Sequence, residues 1–218
     1  MKLFSPDSPI GRAISLLADL VILNLLFLFS CMPVVTVGAA CGALYDTANA
    51  MLAGEHGILY RQYFSSFKKC FVKGTLLFLL SAAVISVIII DLILASGVEG
   101  IMGLLCTGVI SGSLIIALGV MAHLPMTVCR NPREQVILCL RTGLSLAVRN
   151  TWRTLAAVVL NLAPCVLFLF APGLFLRTWM FWFLIGFAAL AYMNNWLLLR
   201  SVDPDLWMAL RPVQQKDA

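Results

Sequence analysis

Charge is scarce in this chain. Only 11% of its 218 residues are charged, where an ordinary soluble domain carries about 25%. A water-facing surface over most of the chain is thereby excluded. The motifs of common catalytic centres are missing as well. There is no HExxH, no GxSxG and no glycine-rich phosphate loop, and no paired intramembrane aspartates in a recognisable setting. The seven cysteines include no CxxC pair and no His at ligand spacing. Most of them lie in apolar runs, where Cys behaves as a small hydrophobe, so neither a metal site nor a disulfide framework is expected. Histidine is limited to His56 and His123. The first reads as a solvated loop residue and the second as a packing residue without a catalytic partner. These absences argue against an enzyme and call for no cofactor. A net charge of +5, dispersed along the chain, gives no footprint for nucleic acid.

What is present is apolar sequence in long runs. A hydrocarbon core is crossed by roughly 20 residues of helix, and the runs here are apolar on every side, unlike the alternating segments of a β-barrel. The predicted class is all-α: a polytopic helical membrane protein with six transmembrane helices in a single integral membrane domain, residues 1–218. The spans fall at 13–32, 34–53, 75–94, 101–128, 154–170 and 174–199. Two cytoplasmic, interfacial amphipathic helices are expected at 58–73 and 134–153. The first apolar run is too long for a signal peptide and no small-residue cleavage site follows it, so it is expected to stay as an anchor.

The chain is organised around Pro33-Val34-Val35-Thr36-Val37-Gly38-Ala39-Ala40-Cys41-Gly42-Ala43-Leu44-Tyr45. Pro33 ends the first span, and Pro33, Thr36 and Tyr45 mark a turn and the helix after it. Gly38 and Gly42 stand four apart, which opens a smooth helix face to a neighbouring backbone. Gly108 and Gly112 repeat that spacing in the fourth span, and close helix packing is expected at both pairs. The second span is short and polar in its later half, with Tyr45, Asp46, Thr47 and Asn49, so hydropathy alone also allows a re-entrant segment.

Both amphipathic stretches are basic. In the first, Tyr60, Tyr63, Phe64, Phe67 and Phe71 recur at helical spacing beside Lys68, Lys69 and Lys73. In the second, Ile137, Leu140, Leu144, Ala147 and Val148 share one face, with Arg141, Ser145 and Arg149 on another. This is the pattern of helices lying in the membrane interface. If six spans cross, fourteen of the fifteen Lys and Arg fall on one side, and Arg177 alone falls on the other. The positive-inside rule then puts both termini and both amphipathic helices in the cytoplasm. Should the second segment fail to cross, this one-sided distribution scatters.

Polar residues inside membrane segments are functional candidates by default. Asp19, Asp46 and Asn161 are the foremost, with Asn24, Asn49, Asp91, Asn194 and Asn195 behind them. Asp19 lies seven residues from Arg12, hence on nearly the same helix face, and can reach it or the headgroups. Asn161 sits close to Pro164 within the fifth span.

The string Pro33-Val34-Val35-Thr36-Val37-Gly38-Ala39-Ala40 with Ala43-Leu44-Tyr45 resembles the signature of YesL-like integral membrane proteins, a domain family of unknown function. The aromatic and basic stretch Phe64 to Lys73 and the spacing of later spans are similar too. The resemblance implies a bacterial plasma-membrane protein whose relatives are often encoded beside carbohydrate ABC importers and glycan-degrading enzymes. The function expected on that basis is a non-enzymatic accessory or regulatory subunit of a carbohydrate ABC importer. Its partners would be the lipid bilayer and sugar importer subunits, with Lys68, Lys69, Arg141 and Arg149 as the cytoplasmic docking cations. The alternative is a small solute transporter or channel built on the intramembrane polar residues.

Overall fold

The computed structural model describes residues 9–54, 57–130 and 136–202, and among them every regular element is a helix. In chain order these are α1 (Pro9–Ser30), a 3₁₀ turn (Val34–Thr36), α2 (Val37–Leu52), α3 (Leu59–Ala95), α4 (Ile101–Arg130), α5 (Val136–Arg149) and α6 (Thr151–Phe170). The last stretch comprises α7 (Pro172–Arg177), α8 (Trp179–Phe181), a π-helical segment (Trp182–Gly186) and α9 (Phe187–Val202). Five helical stretches are long and apolar enough to cross a membrane: Ala13–Ser30, Leu59–Ala95, Ile101–Val128, Thr151–Phe170 and Trp179–Leu198. Most of their surface stays outside the protein interior, as helices bathed in lipid require.

The central helix is α2, which is absent from those five. It packs against α1, α3, α4 and α9, and ten of its 16 residues are buried. Its small residues explain how it reaches so many neighbours. A Cβ placed on Gly38 would strike the Gly74 carbonyl oxygen and Phe78 Cβ, and one placed on Gly74 would lie 3.0 Å from the Gly38 carbonyl oxygen. The two glycines let the α2 and α3 backbones meet. At 1.5 Å per residue α2 spans about 24 Å, and the preceding 3₁₀ turn adds about 6 Å.

The turn before α2 follows from its residues. Pro33 is extended, which keeps α1 from continuing. The Thr36 hydroxyl then sits 2.6 Å from the carbonyl oxygen of Ser30 and 2.7 Å from that of Pro33. It thus serves a carbonyl that the end of α1 leaves without a helical partner.

Several boundaries differ from the sequence-based expectation. The amphipathic stretch at 58–73 and the span at 75–94 are one continuous helix, α3, of 37 residues. Its buried positions Tyr63, Ser66, Cys70, Gly74 and Leu77 recur every three or four residues through the expected junction, so one stripe packs along both parts. At about 55 Å, α3 is far longer than a ~30 Å hydrocarbon core. The second amphipathic segment ends at Arg149, and α6 begins at Thr151, three residues before the predicted span; residues 134–135 lie outside the described residues. The predicted sixth span divides into four consecutive pieces, with Pro172 opening α7, a first-turn position that suits its missing N–H. Cys70 is disulfide-bonded, which departs from the reading of the cysteines as small hydrophobes. Arg12, which was expected to approach Asp19, and His56 lie outside the described side chains.

Candidate functional site

The interior of the bundle holds a seam of carboxamides. Asn24 of α1 is fully buried. Its Nδ2 donates to the carbonyl oxygens of Trp182 (3.1 Å) and Phe183 (2.6 Å), and its Oδ1 accepts from the Ala188 N–H at 2.9 Å. A π-helical segment disturbs the normal helical ladder, and Asn24 supplies bonds to both its carbonyls and the N–H beyond it. The π segment is held open on Gly186, where a Cβ would meet the Trp182 ring at 2.5 Å.

About two turns beyond Ala188, α9 grips Tyr45. Asn195 Nδ2 donates to the Tyr45 carbonyl oxygen at 2.6 Å, and Asn194 Nδ2 lies 3.0 Å from the Tyr45 hydroxyl and 2.8 Å from Asn161 Oδ1. The Tyr45 hydroxyl reaches Asn161 Oδ1 across a long 3.5 Å. The structure thus joins α2, α6 and α9 through one polar cluster. His123 of α4, also fully buried, shares a 2.9 Å hydrogen bond with Thr154 of α6.

Beside this seam lies a cavity of about 340 Å³. Its wall is overwhelmingly apolar, with Leu44, Leu77, Leu118 and Phe187 among the contributors, and Tyr45 and Asn161 set into it. Pro125 of α4 and Pro164 of α6 both line it. Each proline removes an N–H from its helix and crowds the preceding turn. Exposed Leu162 and Cys165 are part of the lining, so the cavity reaches the helix surface.

The sequence candidates separate into distinct environments. Of the three foremost polar residues, Asn161 joins the cluster with Tyr45. Asp46 is elsewhere on α2, half-buried, and accepts from the Ser66 hydroxyl at 2.5 Å. Asp19 is half-buried on α1, apart from both. Among the glycines, Gly38 and Gly42 are buried, but Gly108 and Gly112 are exposed and a Cβ on either would meet nothing within 4 Å. Here the structure corrects the expectation of close packing at the second pair. The tight approach of α4 to another helix is at Gly119, where a Cβ would lie 2.7 Å from Thr154 Cγ2; a glycine pair is a contact only if a neighbouring helix comes to that height.

Lys68 and Lys69 are exposed on α3, and Arg141 and Arg149 are exposed on α5. The buried side of α5 is Cys139, Gly143 and Ala147. Ile137, Leu144 and Val148, expected on the apolar face turned to the membrane interface, are exposed, while Ala147 of that same face is buried. The reason lies in residue size. Gly143 lets α5 settle on α4, where its Cβ would come 3.5 Å from Val120 Cγ1, and the bulkier side chains are left outside. The role of Tyr45 as the hub of the carboxamide cluster escaped sequence reasoning, although Asn194-Asn195 in an apolar run was a signal that something polar had to face them.

The long apolar helices and their bonded polar interior define a multi-pass helical membrane protein. Residues 20–92 match the model of a family described as "Protein of unknown function, DUF624". That stretch runs from within α1 to near the end of α3 and so contains the Thr36 turn, all of α2 and the Gly38–Gly74 contact. No curated protein and no solved structure matches the chain.

Proposed function

We propose that this protein is a YesL-like, non-enzymatic subunit of the bacterial plasma membrane that associates with a carbohydrate ABC importer through its cytoplasmic face. The observation that carries the reading is the outward face of α5. Its small residues are spent on α4, while Ile137, Leu144 and Val148 stand exposed beside Arg141 and Arg149. A mixed apolar and cationic face is suited to an acidic, partly apolar protein surface. In the topology proposed, both termini are cytoplasmic and α2 with its 3₁₀ turn crosses the bilayer. The one-sided distribution of Lys and Arg supports this, and the combined length of about 30 Å matches the hydrocarbon core.

Solute transport is the second reading, and the polar seam is the feature that favours it. Each of the seam's amides nevertheless makes at least one bond to another seam side chain or to backbone, an arrangement suited to holding helices together. Asn194 Oδ1 and Asn195 Oδ1 have no partner among the described residues. Charge reversal separates docking from simple headgroup attraction, which is worth about 1 kcal/mol per cation near an anionic leaflet. Arg141→Glu with Arg149→Glu is expected to abolish co-purification with an importer while expression and membrane insertion persist. Equal partial losses from this pair and from Lys68→Glu with Lys69→Glu would leave only the lipid explanation.

A further inference from the structure

We propose that the cavity between α2, α3, α4, α6 and α9 is a binding site for a neutral, membrane-dissolved molecule with an alkyl or isoprenoid chain and one hydroxyl or carbonyl oxygen. The inference is independent of the docking reading, because it concerns the interior and not the cytoplasmic face.

Three features define the ligand. The first is size. At about 340 Å³ the space falls in the range of small-molecule pockets, which runs from roughly 300 to 1,000 Å³. The second is the wall. Leucines, Phe27, Phe78 and Phe187 surround the space, and an apolar cavity of this kind does not hold water well. A sugar, with a hydroxyl on nearly every carbon, would lose its hydration here without replacement.

The third is the pair of polar groups set into that wall. One amide atom of Asn161 is engaged by Asn194 and Tyr45. Its other amide atom, Nδ2, makes no hydrogen bond among the described residues. The Tyr45 hydroxyl has only its long 3.5 Å contact as a donor. Two groups with unspent hydrogen-bonding capacity therefore stand together on an otherwise apolar wall, and an unmet polar group in such surroundings is costly. One oxygen on a ligand would serve both.

Depth excludes an ordinary phospholipid. The 20-residue α6 is about 30 Å long, and Asn161 stands near its middle. That is close to the bilayer midplane if α6 spans the core, well below the ester groups of a lipid anchored by its headgroup. The expected occupant lacks a charged headgroup.

The test uses the full chain in phosphatidylcholine nanodiscs and a diazirine-bearing long-chain alcohol, with adducts mapped by mass spectrometry. Adducts are expected on cavity residues of α4 and α6, such as Leu118 and Leu162. Dodecanol should displace the probe at about threefold to tenfold lower concentration than dodecane, the return on one hydrogen bond. Asn161→Leu should remove that preference while retaining labelling, and Val158→Trp, which fills the cavity from α6, should abolish labelling of the cavity. Any of three results would overturn the proposal. These are labelling confined to outward residues such as Val109 and Ile89, equal competition by dodecane and dodecanol, or a co-purified phospholipid that the Val158→Trp variant loses.

Discussion

Adding a single methyl group to Gly38 should force the α2 and α3 backbones apart. The new Cβ would lie 2.8 Å from the Gly74 carbonyl carbon and closer still to its oxygen and to Phe78 Cβ. Carbon atoms at rest sit 3.5–4.0 Å apart. Two of the three obstacles are backbone atoms, so no rotamer change relieves the clash, and α2 and α3 must separate. Because α2 also packs on α1, α4 and α9, that movement spreads through the core. Overpacking of this kind costs about 3 kcal/mol, or roughly 6–12 °C in a chain of this size. Gly74→Ala faces the same contact less severely, with its nearest atoms at 3.0 and 3.2 Å, and should cost about 1 kcal/mol. Gly108→Ala has open space and gains helix propensity, so its effect should be neutral or slightly stabilising. The measurement is the thermal midpoint of each full-length variant in the same detergent, read by the onset of aggregation and by loss of helical circular dichroism. The predicted order is Gly38→Ala lowest, then Gly74→Ala, then wild type with Gly108→Ala. A Gly108→Ala midpoint as low as that of Gly38→Ala would refute the reasoning.

Asn24→Leu should cost about 2 kcal/mol, since it deletes three interhelical bonds worth about 0.6 kcal/mol each on average; faster hydrogen exchange at the Ala188 amide would locate the loss. Tyr45→Phe and Asn194→Leu should each lower the melting midpoint by a few degrees and combine less than additively, because they break a shared bond. Additive losses would mean the cluster does not act as a unit. For topology, a background with exposed Cys106 and Cys165 changed to Ala should accept an impermeant thiol reagent from outside at Gly97→Cys or Gly173→Cys. The same reagent should miss Ser65→Cys and Ser145→Cys. Reaction at position 65 from outside would show that α2 does not cross.

The apolar runs announced the helices because membrane burial is written in composition. Pro33 and Gly38 also meant what their chemistry suggests, a helix stop and a close approach. Contacts between distant segments were harder to read. Gly38 and Gly108 begin the same four-residue spacing, yet only Gly38 has a helix opposite it, and that depends on the arrangement of the whole bundle. The junction at Gly74 looked like a boundary because composition changes there, whereas the stripe from Tyr63 to Leu77 keeps helical phase across it. For α5, the apolar pattern grouped Ala147 with Ile137, Leu144 and Val148 on a membrane-facing side, whereas size selects Ala147 with Gly143 for the side packed in the protein. Asn24 and Asn161 were legible as polar residues in apolar spans. Their partners lie more than thirty positions away, and no local pattern names them.

The bond between Asn24 and the π segment has a consequence for biogenesis. Its partners are 158 residues further along the chain, and translation at 5–20 residues per second needs roughly 8–32 s to produce them. For that interval the first helix carries an unmatched carboxamide into the bilayer or its insertion machinery. α1 can therefore take its final seat only after the π segment has arrived. A chain cut before Trp182 leaves that seat empty, so α1 becomes a latch that registers the arrival of the π segment.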